Sequence, residues 1–182
     1  SLGTEHSKGT IALQIGGRVK QSGLAEVPFG LTLEDAIEGF GGGMATGARF
    51  KAVQVGGPMG SLFTKAGLKM KICYDEFARA GAILGHGGIV VFDQETDMVG
   101  LARHFMAFTA DESCGVCTPC RVGSVRAREI LDGFAQGRGR PGDLELLADL
   151  GETMKQASLC GLGQRAPYPV LTAIEHFRKE FR

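Results

Sequence analysis

Three cysteines at three-residue intervals, Cys114, Cys117 and Cys120, and a fourth far along the chain at Cys160 restrict what this sequence can become more than any other feature. The run reads Glu112-Ser113-Cys114-Gly115-Val116-Cys117-Thr118-Pro119-Cys120-Arg121. Thiolates so spaced wrap one corner of a cubane, each meeting a different iron, while the last iron is reached by a cysteine distant in sequence. Sulfur is the soft, anionic donor that such chemistry needs. The pattern therefore predicts one [4Fe–4S] cluster on Cys114, Cys117, Cys120 and Cys160, and a fold that brings the two segments together. A structural zinc site would instead offer two ligand pairs at opposite ends of a loop. Here one end carries three cysteines and the other only one, followed by Gly161-Leu162-Gly163. A zinc-stabilised, non-redox binding module is the alternative of another class. Cys73, beside Ile72, reads as a small buried hydrophobe. An odd count of five cysteines, with no secretory signal, argues against a disulfide framework and for a metal site in a reducing, cytoplasmic compartment.

The residues around the cysteines suit an anionic group. Pro119 is expected near the start of a helix with Thr118 at the N-cap. Cys120 then lies in the first turn, where the dipole and free N–H groups favour negative charge. Gly115, Gly161 and Gly163 allow a close backbone approach and N–H···S bonds. Arg121 is either a tuning cation or one half of a surface salt bridge.

Alternating Ile11, Leu13 and Ile15 predict a first strand, and residues 24–29 a second. Thr32 and Asp35 form a capping box for a short helix reaching about Phe40, and residues 52–55 read as a further strand. This order predicts an α+β fold whose first domain, residues 8–70, is a small β-grasp unit. Residues 71–95 are expected to connect, with a short helix over 75–82 and a short buried strand over 89–92. From Thr96, a plausible N-cap, residues 96–182 predict a four-helix bundle. Its stripes are Met98, Leu101, Phe105 and Phe108; then Val122, Val125, Ile130, Leu131 and Phe134. The third helix is capped by Asp143 and bears Leu144, Leu147, Leu150 and Met154; the fourth opens at Pro169 with Val170, Ile174, Phe177 and Phe181.

Other signals carry less. Gly137 to Gly142 matches a dinucleotide fingerprint literally, but no strand precedes it and Pro141 interrupts it. His6, His86, His104 and His176 fall at unrelated places. No catalytic nucleophile is evident. Twenty basic and twenty acidic side chains give a net charge of zero, which offers no attraction to nucleic acid or an anionic membrane. No apolar run approaches the roughly 20 residues that span a bilayer. The opening Ser1-Leu2-Gly3-Thr4 is not a signal peptide and lacks an initiator Met, so a longer parent protein is expected.

The cysteine run, continued by Gly123 and joined to Ser158-Leu159-Cys160-Gly161-Leu162-Gly163, resembles the family of NADH-binding flavoprotein subunits. That family spans respiratory complex I, NAD-reducing hydrogenases and NAD-dependent formate dehydrogenases. The resemblance implies that residues 8–70 are an SLBB-type β-grasp domain and residues 95–182 a helical [4Fe–4S] domain. Segments such as residues 27–33, 52–58, 85–91 and 167–171 look most like the formate dehydrogenase β subunit. The implied function is the electron-transfer portion of a diaphorase subunit, passing electrons between iron–sulfur clusters and FMN/NAD+. A molybdenum or tungsten pterin on the catalytic α subunit and a small [2Fe–2S] subunit would be partners. The diaphorase subunit of an NAD-reducing hydrogenase or of NADH:quinone oxidoreductase is the alternative. FMN and NAD are expected on an N-terminal domain outside these residues, so no residue here is assigned to them.

Overall fold

The computed structural model describes residues 2–182. They divide into two compact units, residues 2–96 and Asp97–Arg182. In the first, β1 (Thr10–Gly17) pairs antiparallel with β2 (Gly23–Pro28), and β3 (Phe50–Val55) pairs antiparallel with β4 (Ser61–Phe63). β5 (Gly88–Asp93) lies between the two hairpins, parallel to β1 and antiparallel to β3, giving the order β2-β1-β5-β3-β4. The segment read as a connection thus supplies the central strand of the sheet. Its apolar run Ile89-Val90-Val91 suits a strand flanked on both sides.

Side-chain alternation sets which face is buried. Leu13 and Ile15 of β1 point inward with Val27, Val53, Val55, Ile89 and Val91. Against them pack α1 (Leu33–Asp35), its π-helical extension Ala36–Phe40, and α2 (Tyr74–Arg79), through Leu33, Ile37 and Phe77. The expected capping box is present. The Asp35 N–H donates to Thr32 Oγ1 at 3.0 Å, and the Thr32 N–H donates to Asp35 Oδ2 at 2.9 Å. Cys73, at the N-terminus of α2, is buried and unpaired, as a small hydrophobe would be. At the end of β5 the buried Asp93 carboxylate is held by Arg18 Nε at 2.7 Å.

The second unit contains α3 (Met98–Glu112), α4 (Thr118–Ala135), α5 (Asp143–Ala157), α6 (Gly161–Arg165) and α7 (Pro167–Phe177). Where periodicity predicts four helices the unit has five, because α6 spans only five residues and two of them are glycine. α3 packs on α4 and α7, and α5 packs on the same two helices.

Several helix ends and faces differ from expectation. Asp97, not Thr96, caps α3 by accepting from the Val99 N–H; the Thr96 hydroxyl turns back to Asp93. Cys117 is the N-cap of α4, so Thr118 is its first residue. Asp143 is the first residue of α5 and accepts from the Arg140 N–H at 2.9 Å. α7 opens at Pro167, and Phe181 is buried beyond its end. Val122 and Val125 of α4 and Phe108 of α3 are exposed. α4 instead buries Gly123, Ser124 and Ala127 beside Ile130, Leu131 and Phe134. A Cβ on Gly123 would stand 2.8 Å from Met154 Cγ, so the small residues mark the line of close approach between α4 and α5.

Candidate metal centre

The sulfur-bearing residues occupy two loops. Ser113 ends α3 in extended conformation, and Cys114, Gly115 and Val116 lead to Cys117 at the head of α4. Cys120 is in the first turn of α4 and is buried. Cys160 heads α6, immediately after the turn that ends α5. Cys114 and Cys160 are exposed, Cys117 is half-buried, and none of the four is in a disulfide.

The two loops meet. The backbone N–H of Leu159, adjacent to Cys160, turns its dipole on Cys117 Sγ and is the main reason that thiol lies below its ordinary range. The Cys120 N–H and the Ser158 hydroxyl act in the same direction, and partial desolvation opposes them. Cys117 itself makes no side-chain capping hydrogen bond to α4. A second contact joins the loops at Gly163. A Cβ there would stand 2.4 Å from Ser158 Oγ and 2.8 Å from Cys120 Cβ. Only a hydrogen fits, so α6 lies directly against the first turn of α4. A Cβ on Gly161, by contrast, would meet no protein atom within 4 Å.

The loop after α3 is tied down by polar bonds. Arg121 donates to the Gly115 carbonyl at 2.7 Å. That bond ties the guanidinium to the cysteine loop. The Gly115 N–H donates to Ser113 Oγ at 3.3 Å, and the same hydroxyl lies 3.4 Å from Cys120 Sγ. Gly115 takes a positive φ of 75°, which the tight turn between Cys114 and Cys117 requires. Ser113 and Ser158 are site residues that sequence reasoning misses. Their position next to the cysteine segments is the available signal, but which sulfur each serves depends on the fold.

The donor set is all thiol. Among the described residues, no three histidine, cysteine, aspartate or glutamate side chains converge on one point as ligands of a single ion would. A cubane makes a different demand, because its four thiolates meet four irons and stand around a body. An all-thiol set on two abutting segments, with polar groups beside Cys117 and Cys120, suits that requirement. His104 and His176 are exposed on their helices, away from any such role. Among the described residues no helix is long and apolar enough to cross a membrane.

Comparison with known proteins agrees with this division. The family model described as the NADH-ubiquinone oxidoreductase-F iron-sulfur binding region matches residues 100–182, and that of the SLBB domain matches residues 13–63. The NADP-reducing hydrogenase subunit HndC of Solidesulfovibrio fructosivorans is 44% identical over 180 residues, covering 99% of this chain and 37% of the relative. The F subunit of NADH-quinone oxidoreductase from Escherichia coli (strain K12) is 39% identical, covering 95% of this chain and 39% of the relative. A crystal structure of an NAD+-reducing [NiFe]-hydrogenase in the air-oxidized state superposes with a TM-score of 0.88 at 37% identity, covering 99% of this chain and 30% of that one. The chain thus spans well under half the length of these relatives.

Proposed function

The chain belongs to the complex I 51 kDa-like flavoprotein family, and on that premise we propose that it is the electron-transfer portion of a diaphorase-type subunit. Cys114, Cys117, Cys120 and Cys160 are the proposed thiolate ligands of one [4Fe–4S] cluster. The observation that carries this reading is the close approach at Gly163, where the Ser158 side chain and Cys120 leave room only for a hydrogen, so that the segment bearing Cys160 abuts the one bearing Cys117 and Cys120. When bound, such a cluster accepts and releases single electrons. The chain's own residues hold the ligands and bias the charge. α4 directs its N-terminal dipole at the loop, and Arg121 keeps the loop closed. Burial of Cys120 limits water at one corner of the site.

The parent assembly is proposed to be an NAD(P)-linked hydrogenase or an NADH:quinone oxidoreductase. The relatives belong to those two classes, and they favour this reading over formate dehydrogenase with its molybdenum or tungsten partner. FMN and NAD(H) are assigned to the part of the protein outside these residues, and the SLBB unit to docking. Hydrogen, quinone and formate tested in turn as redox partners of NAD(P) in the intact assembly would separate the parents.

Cys160→Ala tests the ligand set. The expected result is loss of the intact cubane, read as iron and sulfide content and the reduced-state EPR signal. An unchanged content and signal would remove Cys160 from the set. A colourless protein purified anaerobically with stoichiometric zinc would replace the reading altogether.

A further inference from the structure

Two serine hydroxyls flank the cysteine loops, one from each segment. Ser113 Oγ lies 3.4 Å from Cys120 Sγ and already accepts the Gly115 N–H at 3.3 Å. That bond uses one of its two lone pairs, and its own proton remains available to a thiolate sulfur, which can only accept. A hydroxyl that accepts from an amide is polarised and becomes a better donor. Ser158 is 4% exposed, and its Oγ has no hydrogen-bond partner of ordinary geometry. A buried hydroxyl left in that state is unfavourable by more than a typical hydrogen bond contributes, so it calls for an explanation. Its position offers one. Ser158 Oγ and Cys120 Cβ crowd the same point beside Gly163, and the next residue along, Leu159, turns its N–H on Cys117.

We propose that Ser113 and Ser158 are the hydroxyl donors to the bound cluster's sulfurs, Ser113 to Cys120 and Ser158 to the Cys117 side, and that together they raise its reduction potential. This rests on the cysteine ligand set proposed above and goes beyond it by assigning the residues that tune the site. The physical basis is simple. Adding an electron to a four-thiolate cluster increases negative charge on the ligand sulfurs. A donor hydrogen bond to such a sulfur strengthens with that charge, and so favours the reduced form. Hydrogen bonds to the sulfurs are among the factors that set such potentials. The two serines act through the ligands and are positioning residues for electron transfer.

The test is an EPR-monitored redox titration of the full-length protein in its assembly, for the parent and for Ser113→Ala, Ser158→Ala and Ser113→Thr. Iron and sulfide are measured on the same samples. Each alanine variant is expected to keep its iron and to titrate at a lower potential. The reduced-to-oxidised ratio at fixed potential should fall about three- to tenfold, the upper end being about 59 mV for a one-electron couple. Ser113→Thr, which keeps the hydroxyl, is expected to hold the parent's potential. A merely structural serine would change thermal stability and leave the midpoint in place. If Ser158→Ala does not load iron, the Ser113 pair decides the proposal by itself. Loaded alanine variants with the parent's midpoint would overturn the serine assignment and leave the ligand set standing. A parent protein without iron and sulfide would overturn both.

Discussion

Gly163 has no room for a side chain. Its missing side chain is the space in which Ser158 and the first turn of α4 meet. Gly163→Ala forces a Cβ to within 2.6 Å of Ser158 Cβ, and neither that atom nor Cys120 Cβ can swing aside as a flexible chain end would. Overpacking of this kind destabilises by about 1–3 kcal/mol. A lower melting temperature together with reduced iron content is the expected outcome, and an alanine variant with the parent's melting curve would show that the loops do not abut. At this scale the sequence was partly legible. The spacing of Cys114, Cys117 and Cys120 is local, and those three ligand candidates follow from it directly. The Ser113 and Ser158 contacts are not local: Ser158 meets Cys120 across two helix ends. Val122 and Val125 misled for a related reason. Bulk apolar residues suggest the inner face, yet Gly123, Ser124 and Ala127 occupy it because α5 comes so close.

Among the elements, the short helix after β2 depends on its first turn. The Asp35 carboxylate is held below its ordinary range, first by the Thr32 hydroxyl and then by the Thr32 N–H. A carboxylate with a lowered folded-state value contributes stability above its unfolded value, and the contribution is lost as pH falls through the folded value. Asp35→Asn is therefore expected to lower stability at neutral pH and to flatten the acid limb below about pH 4, measured by denaturant melts across a pH series. Thr32→Ala removes the other half of the box and should cost about 1 kcal/mol. Parallel acid limbs in Asp35→Asn and the parent would show that this carboxylate does not couple to folding. The box was readable because its four residues are contiguous. α6 was not, since five residues containing two glycines leave no periodicity to detect. β5 was seen as a short buried strand, but nothing local in residues 88–93 says that it is central. Its position follows only from its pairing with both β1 and β3.

Over the whole molecule, each unit has a core of its own. The sheet core is built from residues 13 to 91, and the helical unit buries Met106, Leu131, Leu147 and Met154. Removal of iron and sulfide is therefore expected to leave most helix content in the far-UV spectrum, because those side chains are not ligands. Amide hydrogen exchange should rise in the loops at residues 113–118 and 158–161 and stay low in β1, β3 and β5. Global loss of protection in the sheet would contradict separate cores. Leu131→Ala, by contrast, opens the helical core and should cost about 2–5 kcal/mol. The strand order has a further consequence for biosynthesis. The two hairpins emerge from the ribosome first, each presenting a bare edge, and the strand that joins them appears only at Gly88–Asp93. Until then the inner edges of β1 and β3 are unpaired and can pair with other molecules. Arrest or truncation before Gly88 should consequently yield insoluble protein, whereas release after Asp93 should not.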